Sequence, residues 1–291
     1  MAFVNEWLFL FPRQIACLNM KKFSILFLAL FWLSSHVSQA ATVDTLSVFS
    51  KAMNKETRCV VIVPKGAEAN RLPVLYLLHG LGGNQQSWLQ IKPELPRLAD
   101  EMQMLIVCPN GGFRSWYLDS PIDSSFRYET YMIQELIPYI DSHFRTVTTR
   151  EGRAIAGLSM GGHGSLYLAI RHLEIFGAAC STSGSVDLLK KTFSWKYKEM
   201  ILGDTICCKQ NWLDHSVIHM ADQLKNGQLS VHLDCGTEDD LYMPNRLLHE
   251  KWQASGVEHE YLEGPGKHDA AYWNKSIDPI LLFVHRFFEK K

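Results

Sequence analysis

Residues 154–166 read AIAGLSMGGHGSL. An apolar run, 154–156, stops at Gly157, and Gly157-Leu158-Ser159-Met160-Gly161 forms a G-x-S-x-G pattern that runs on into Gly162, His163 and Gly164. Beyond it Leu166, Ala169, Ile170 and Leu173 recur at i, i+3, i+4 and i+7, the stripe by which a helix packs on a sheet. Five residues alone recur by chance, but a strand, a sharp glycine turn and a helix in this order are what a nucleophile elbow needs. The glycines have a physical reason: the serine would sit in a strained backbone conformation where side chains on its neighbours clash. The helix would also aim its N-terminus at the serine and favour negative charge there.

Outward from this segment, short apolar runs alternate with helical stretches. Strands are expected at 58–63, 74–78, 104–108, 154–156, 176–180, 229–234 and 259–263, several of them apolar on both faces as buried parallel strands are. Helices are expected at 123–144, 162–172, 244–254 and 277–289. The alternation predicts an α/β fold, a mostly parallel central sheet with helices on both faces. Residues 187–228 break the rhythm, carrying Phe193, Trp195, Tyr197, Met200, Ile201, Trp212 and Met220 without a clear strand. They read either as a cap over a pocket or as a surface insertion packed by its own aromatics.

The chain has 291 residues, 47% hydrophobic and 20% charged, which excludes general disorder and allows one large α/β domain. Lys plus Arg number 29 against 30 Asp plus Glu, a net charge of −1 that argues against nucleic acid as a partner. Residues 1–40 read as a signal peptide: Lys21 and Lys22, an apolar core from Phe23 to Leu33, then Ser38-Gln39-Ala40 before a cleavage. Met20 is the expected true start, and the run is too short for a membrane span, so no stable insertion is expected after cleavage. Residues 41–291 would then form one domain with a net charge near −3, exported to the periplasm or beyond.

Six cysteines remain after the leader, and Cys108, Cys180 and Cys235 lie in strand-like runs as buried thiols. Cys207 and Cys208 are adjacent. Neither C-x-x-C nor H-E-x-x-H spacing occurs, so no metal site is expected.

A serine hydroxyl is a poor nucleophile unless a histidine takes its proton and a carboxylate holds that histidine in the right tautomer. In this fold the order is serine, acid, histidine, with each partner on a loop after a strand. The strand at 229–234 leads into Cys235-Gly236-Thr237-Glu238-Asp239-Asp240. Asp239 and Asp240 both fit there, with Glu238 and Asp234 outside candidates. Among 12 histidines, His268 stands in the Gly264-Pro265-Gly266 loop between a strand and the last helix. Oxyanion donors are expected from the Met160 amide, just after the serine, and from the Leu81 amide in His79-Gly80-Leu81-Gly82-Gly83-Asn84. A phosphate-cradling role for those glycines lacks the G-x-x-x-x-G-K-[ST] pattern.

With these residues in place the sequence resembles the esterase D, or putative esterase, family of α/β-hydrolases. That group includes feruloyl esterases, S-formylglutathione hydrolases, small acyl-ester esterases and mycolyltransferases. The likeness runs from about Arg58 to the C-terminus and is carried by LLHGLGGN (77–84), SWYLDSP (115–121), RYETYMIQELIPYID (127–141), GLSMGGHGSL (157–166), CGTEDDLY (235–242) and GPGKHDAAYW (264–273). It implies the α/β-hydrolase fold, a nucleophile at Ser159, a base at His268 and an acid at Asp239 rather than Asp240. It also implies the Leu81 and Met160 amides as oxyanion hole, Trp116 beside the substrate pocket, and no cofactor. The expected activity is that of a secreted serine esterase acting on small esters or acylated oligosaccharides through an acyl-enzyme. Acetyl or feruloyl esters of plant polysaccharides come first, since export argues against S-formylglutathione. A generic short-chain (tributyrin-type) carboxylesterase and an acyltransferase to a sugar are the alternatives. A non-catalytic glycan-binding module would have no need of the intact Ser159, Asp239 and His268.

Overall fold

The computed structural model describes residues 41–192 and 194–290. The expected leader at 1–40, its start at Met20, and Phe193 lie outside the described residues. In chain order the strands are β1 (Thr42–Ser50), β2 (Lys55–Val63), β3 (Val74–Leu78), β4 (Leu105–Pro109), β5 (Arg153–Leu158), β6 (Ala178–Thr182), β7 (Ser230–Gly236) and β8 (Glu260–Gly264). The helices are α1 (Ser87–Ile91), α2 (Leu95–Met102), α3 (128–143), α4 (Met160–Arg171), α5 (Trp195–Leu202), α6 (Lys209–His215), α7 (Val217–Met220), α8 (Tyr242–Ala254) and α9 (Ala270–Glu289). Helix α3 is π-helical at Tyr131–Leu136, between α-helical turns.

One sheet holds all eight strands in the order β1-β2-β4-β3-β5-β6-β7-β8. The pairs β1–β2 and β2–β4 are antiparallel, and the five pairs from β4–β3 to β7–β8 are parallel. Alternate residues of each strand feed opposite faces. Val74, Tyr76 and Leu78 of β3 join a core with α3, α4 and α8, while Leu75 and Leu77 join a second core with α2 and α9. The expected layering, with helices on both faces of a mostly parallel sheet, is what the chain adopts.

Some expectations were incomplete. β1, TVDTLSVFS, was not foreseen: it is an edge strand paired on one side, so most of its residues face water and no apolar run marks it. Helix α9 begins at Ala270, seven residues before the expected start, capped by the Asp269 carboxylate accepting from the Tyr272 amide at 2.9 Å. The stretch 187–228 holds no strand among its described residues. Its Trp195 and Trp212 stack at 4.6 Å, and Ile201, Leu202, Trp212, Val217 and Met220 extend the larger core. Cys59, Cys108, Cys180 and Cys235 are buried free thiols, and Cys207 and Cys208 are free as well. No helix among the described residues is long and apolar enough to cross a membrane.

Candidate active site

Ser159 sits between the last residue of β5 and the first of α4 at φ 54°, ψ −115°, a left-handed conformation that a non-glycine residue adopts only under constraint. The constraint is visible. The Ser159 amide donates to the Thr182 carbonyl, and the His163 and Ser185 amides donate to the Ser159 carbonyl, each at 3.0 Å. A Cβ on Gly157 would lie 2.3 Å from the Gly161 carbonyl oxygen, and one on Gly161 would lie 2.5 Å from that of Leu78. Two glycines of the pattern therefore serve close backbone approach.

His268 Nε2 lies 2.8 Å from Ser159 Oγ, and its Nδ1 lies 2.9 Å from Asp239 Oδ2. A carboxylate only accepts, so Nδ1 carries the proton and Nε2 is left to accept from the serine hydroxyl. Burial pushes the Asp239 pKa up, but hydrogen bonding and charge from His268, helped by the Leu241 amide at 2.8 Å, outweigh it and hold the carboxyl below its ordinary value. Asp240 and Glu238 are exposed, whereas the Asp239 side chain is fully buried. Asp234 is also buried, but it accepts from Thr182 Oγ1 at 2.9 Å, away from His268.

The loops that carry Asp239 and His268 are locked together. The Thr237 and Glu238 amides donate to the Gly264 and Gly266 carbonyls at 2.8 and 2.9 Å. A Cβ on Gly236 would meet the Gly266 oxygen at 2.3 Å. The Trp273 ring stands perpendicular to the His268 imidazole, centroids 5.0 Å apart.

The Met160 amide is at the first position of α4, one of the four N–H groups a helix leaves without an internal partner. Leu81, which lines the same pocket as Met160, follows β3 on a loop braced by His79. The His79 Nδ1 donates to the Gly80 carbonyl at 2.7 Å and its Nε2 accepts from the Gly111 amide at 2.9 Å. Burial pushes the His79 pKa down to about 4, which keeps the ring neutral and able to accept. Tyr117 completes the brace, its hydroxyl taking the His79 amide at 3.0 Å. Sequence reasoning missed His79 and Tyr117, whose only signal was a place beside glycines and in the SWYLDSP segment.

Two spaces open from Ser159 and His268. A narrow pocket of about 40 Å³ is walled by Leu81, Trp116, Met160, Thr192, Ser194 and Leu241. A wider cleft of about 450 Å³ is bordered by Gly80, Ser87, Ile91 and Trp273. Trp116 is thus a pocket residue and also a buried one, held at φ 49° with its carbonyl 3.1 Å from His163 Nδ1. Of the 187–228 stretch, Thr192 and Ser194 reach the pocket.

The family described as "Putative esterase" matches residues 50–284. The chain is 27% identical over 252 residues to an acetyl esterase of Caldicellulosiruptor saccharolyticus, covering 80% of this chain and 94% of that one. A solved ferulic acid esterase superposes with a TM-score of 0.73 at 28% identity, covering 86% and 99% of the two chains. An S-formylglutathione hydrolase from Staphylococcus aureus has the same fold, with a TM-score of 0.73 at 22% identity over 85% and 100%.

Proposed function

The chain belongs to the putative esterase family and is a carboxylic ester hydrolase, and from that premise we propose that Ser159, His268 and Asp239 carry its chemistry, on short acyl esters of polysaccharides met outside the cytoplasm. The observation that carries the site assignment is the unbroken line from Ser159 Oγ to His268 to Asp239, at 2.8 and 2.9 Å.

Ser159 Oγ attacks the ester carbonyl as its proton passes to His268 Nε2, and the buried Asp239 carboxylate stabilises the imidazolium. The carbonyl oxygen, now negative, takes hydrogen bonds from the Leu81 and Met160 amides. His268 returns the proton to the leaving alcohol oxygen as the C–O bond breaks. A water then gives its proton to the same nitrogen, attacks the acyl-serine, and releases the acid with Ser159 reprotonated. No step requires a cofactor.

The two spaces supply the substrate reading. The narrow pocket of about 40 Å³ is the tighter of the two and suits a short acyl group such as an acetyl. The wider cleft of about 450 Å³, bordered by Trp273, suits the alcohol. The acetyl esterase among the relatives points the same way. The likeness to a ferulic acid esterase favours a feruloyl ester as the second reading. The leader-like residues 1–40 support export.

The test is release of acetate and of ferulate from acetylated and feruloylated xylo-oligosaccharides, beside p-nitrophenyl acetate, by the wild type and Ser159→Ala. Acetate release should exceed ferulate release by at least about tenfold, and Ser159→Ala should abolish both while keeping its thermal midpoint. Activity retained in Ser159→Ala would remove the serine from its role, and equal ferulate release would favour the second reading.

A further inference from the structure

Lys198 is a lysine with no solvent exposure, in α5 beneath the backbone that leads to the pocket wall. Its Nζ donates to the Leu188 carbonyl at 2.7 Å and the Lys190 carbonyl at 2.8 Å. It also stands 5.4 and 5.9 Å from the ring centroids of Trp195 and Trp212. A buried ammonium is costly unless its N–H groups are paired or face π-systems, and here carbonyls and indole rings together meet that requirement.

The stretch that it holds has no sheet or helix to satisfy its backbone. Val186 and Leu188 are tied to the start of α7, the Val186 carbonyl accepting from the Ile218 amide at 3.1 Å and the Leu188 amide donating to Ser216 Oγ at 3.0 Å. Beyond that point the Leu189 and Lys190 amides turn back to Asp187, within the stretch itself. The ammonium is what joins the 188 and 190 carbonyls to α5. Two and four residues further on stand Thr192 and Ser194, hydroxyls 2.7 Å apart, which wall the narrow pocket and whose carbonyls accept from the Trp195 and Tyr197 amides of α5, each at 3.0 Å, so Lys198 closes a loop that begins and ends on α5.

We propose that Lys198 is a positioning residue for the acyl pocket: by tying the 188–190 backbone onto the Trp195–Trp212 pair it fixes where Thr192 and Ser194 stand, and so limits the length of acyl group turned over. The inference rests on the esterase reading above and adds to it the group that sets the acyl limit. Burial pushes the Lys198 pKa down to about 8, with Asp187 pulling it back up, so the amine is mostly protonated at pH 7.

Lys198→Met keeps the side-chain length and leaves both carbonyls without their donor. The measurement is kcat/KM for p-nitrophenyl acetate, butyrate and hexanoate, taken as the hexanoate-to-acetate ratio. Any loss of folded protein lowers all three esters equally, so this ratio does not respond to stability alone. The ratio should rise about tenfold in Lys198→Met. Lys198→Gln, which keeps an N–H donor, should raise it less, and serves alone if the methionine variant does not fold. A ratio within about twofold of the wild type, with acetate still cleaved, overturns the role of Lys198 and leaves the esterase reading intact. Wild-type protein that cleaves none of the three esters overturns the reading itself.

Discussion

Asp239 and Asp240 are neighbours with identical side chains and opposite fates. The turn after β7 buries the first against His268 and leaves the second exposed. In Asp239→Asn an amide nitrogen can face His268 Nδ1, which favours the tautomer protonated at Nε2 and removes the acceptor for the Ser159 proton. The kcat for p-nitrophenyl acetate should fall on the order of 10³- to 10⁴-fold with the KM little changed, whereas Asp240→Asn should stay within about threefold. The reverse ranking would move the acid to Asp240. This pair also marks how far residues could be read from sequence. Ser159 and His268 could be singled out because glycine loops after strands announce them, whereas spacing narrowed the proposed acid only to two positions. Spacing cannot say which of two adjacent carboxylates a turn folds inward, and the family likeness chose Asp239. The brace of His79 and Tyr117 was not legible at all, since it joins residues 38 apart through contacts that no local pattern encodes.

Among the elements, β3, β5 and α4 form the mechanical unit that presents Ser159, the proposed nucleophile. They were readable because strands buried on both faces are apolar throughout, while the edge strand β1 and the polar first turns of α9 were not. Gly161 is where the three meet: an added Cβ would lie 2.5 Å from the Leu78 oxygen and 2.7 Å from that of His79, both main-chain atoms that can yield only if the end of β3 moves. That movement would carry Leu81 with it. Gly161→Ala should therefore lower the urea midpoint and, per serine titrated with a fluorophosphonate, lower kcat by more than about tenfold. Gly264→Ala, with nothing within 4 Å of the added methyl, should do neither. Equal behaviour of the two variants would show that backbone crowding at Gly161 does not set the geometry of the site.

For the whole molecule, buried histidines set the response to acid. Burial pushes His79 and His163 from 6.5 down to about 4, and it lowers His215, His232 and His259 as well. Between about pH 6.5 and 4 these rings take protons in the unfolded chain but resist them in the fold, so stability falls as pH falls through that window. His172, whose pKa the Glu129 carboxylate raises, and Asp234, whose pKa burial raises, oppose this, but they are two groups against five. Glu129, held at about 2 despite its burial by His172, Arg171 and Tyr167, extends the loss from about pH 4.5 downward. Lys198 acts at the other end: its value near 8 lies below the ordinary 10.5, so the unfolded chain binds more protons between those values and stability gains from rising pH there. Urea midpoints at constant ionic strength should accordingly drop by a large fraction from pH 6.5 to 4. From pH 8 to 9.5 the wild-type midpoint should rise relative to that of Lys198→Met, which lacks the titrating amine, while both proteins share the acid limb. A flat midpoint between pH 6.5 and 4 would mean that the buried histidines are protonated in the fold, and His79 could then no longer accept from Gly111 to hold the Leu81 loop in place.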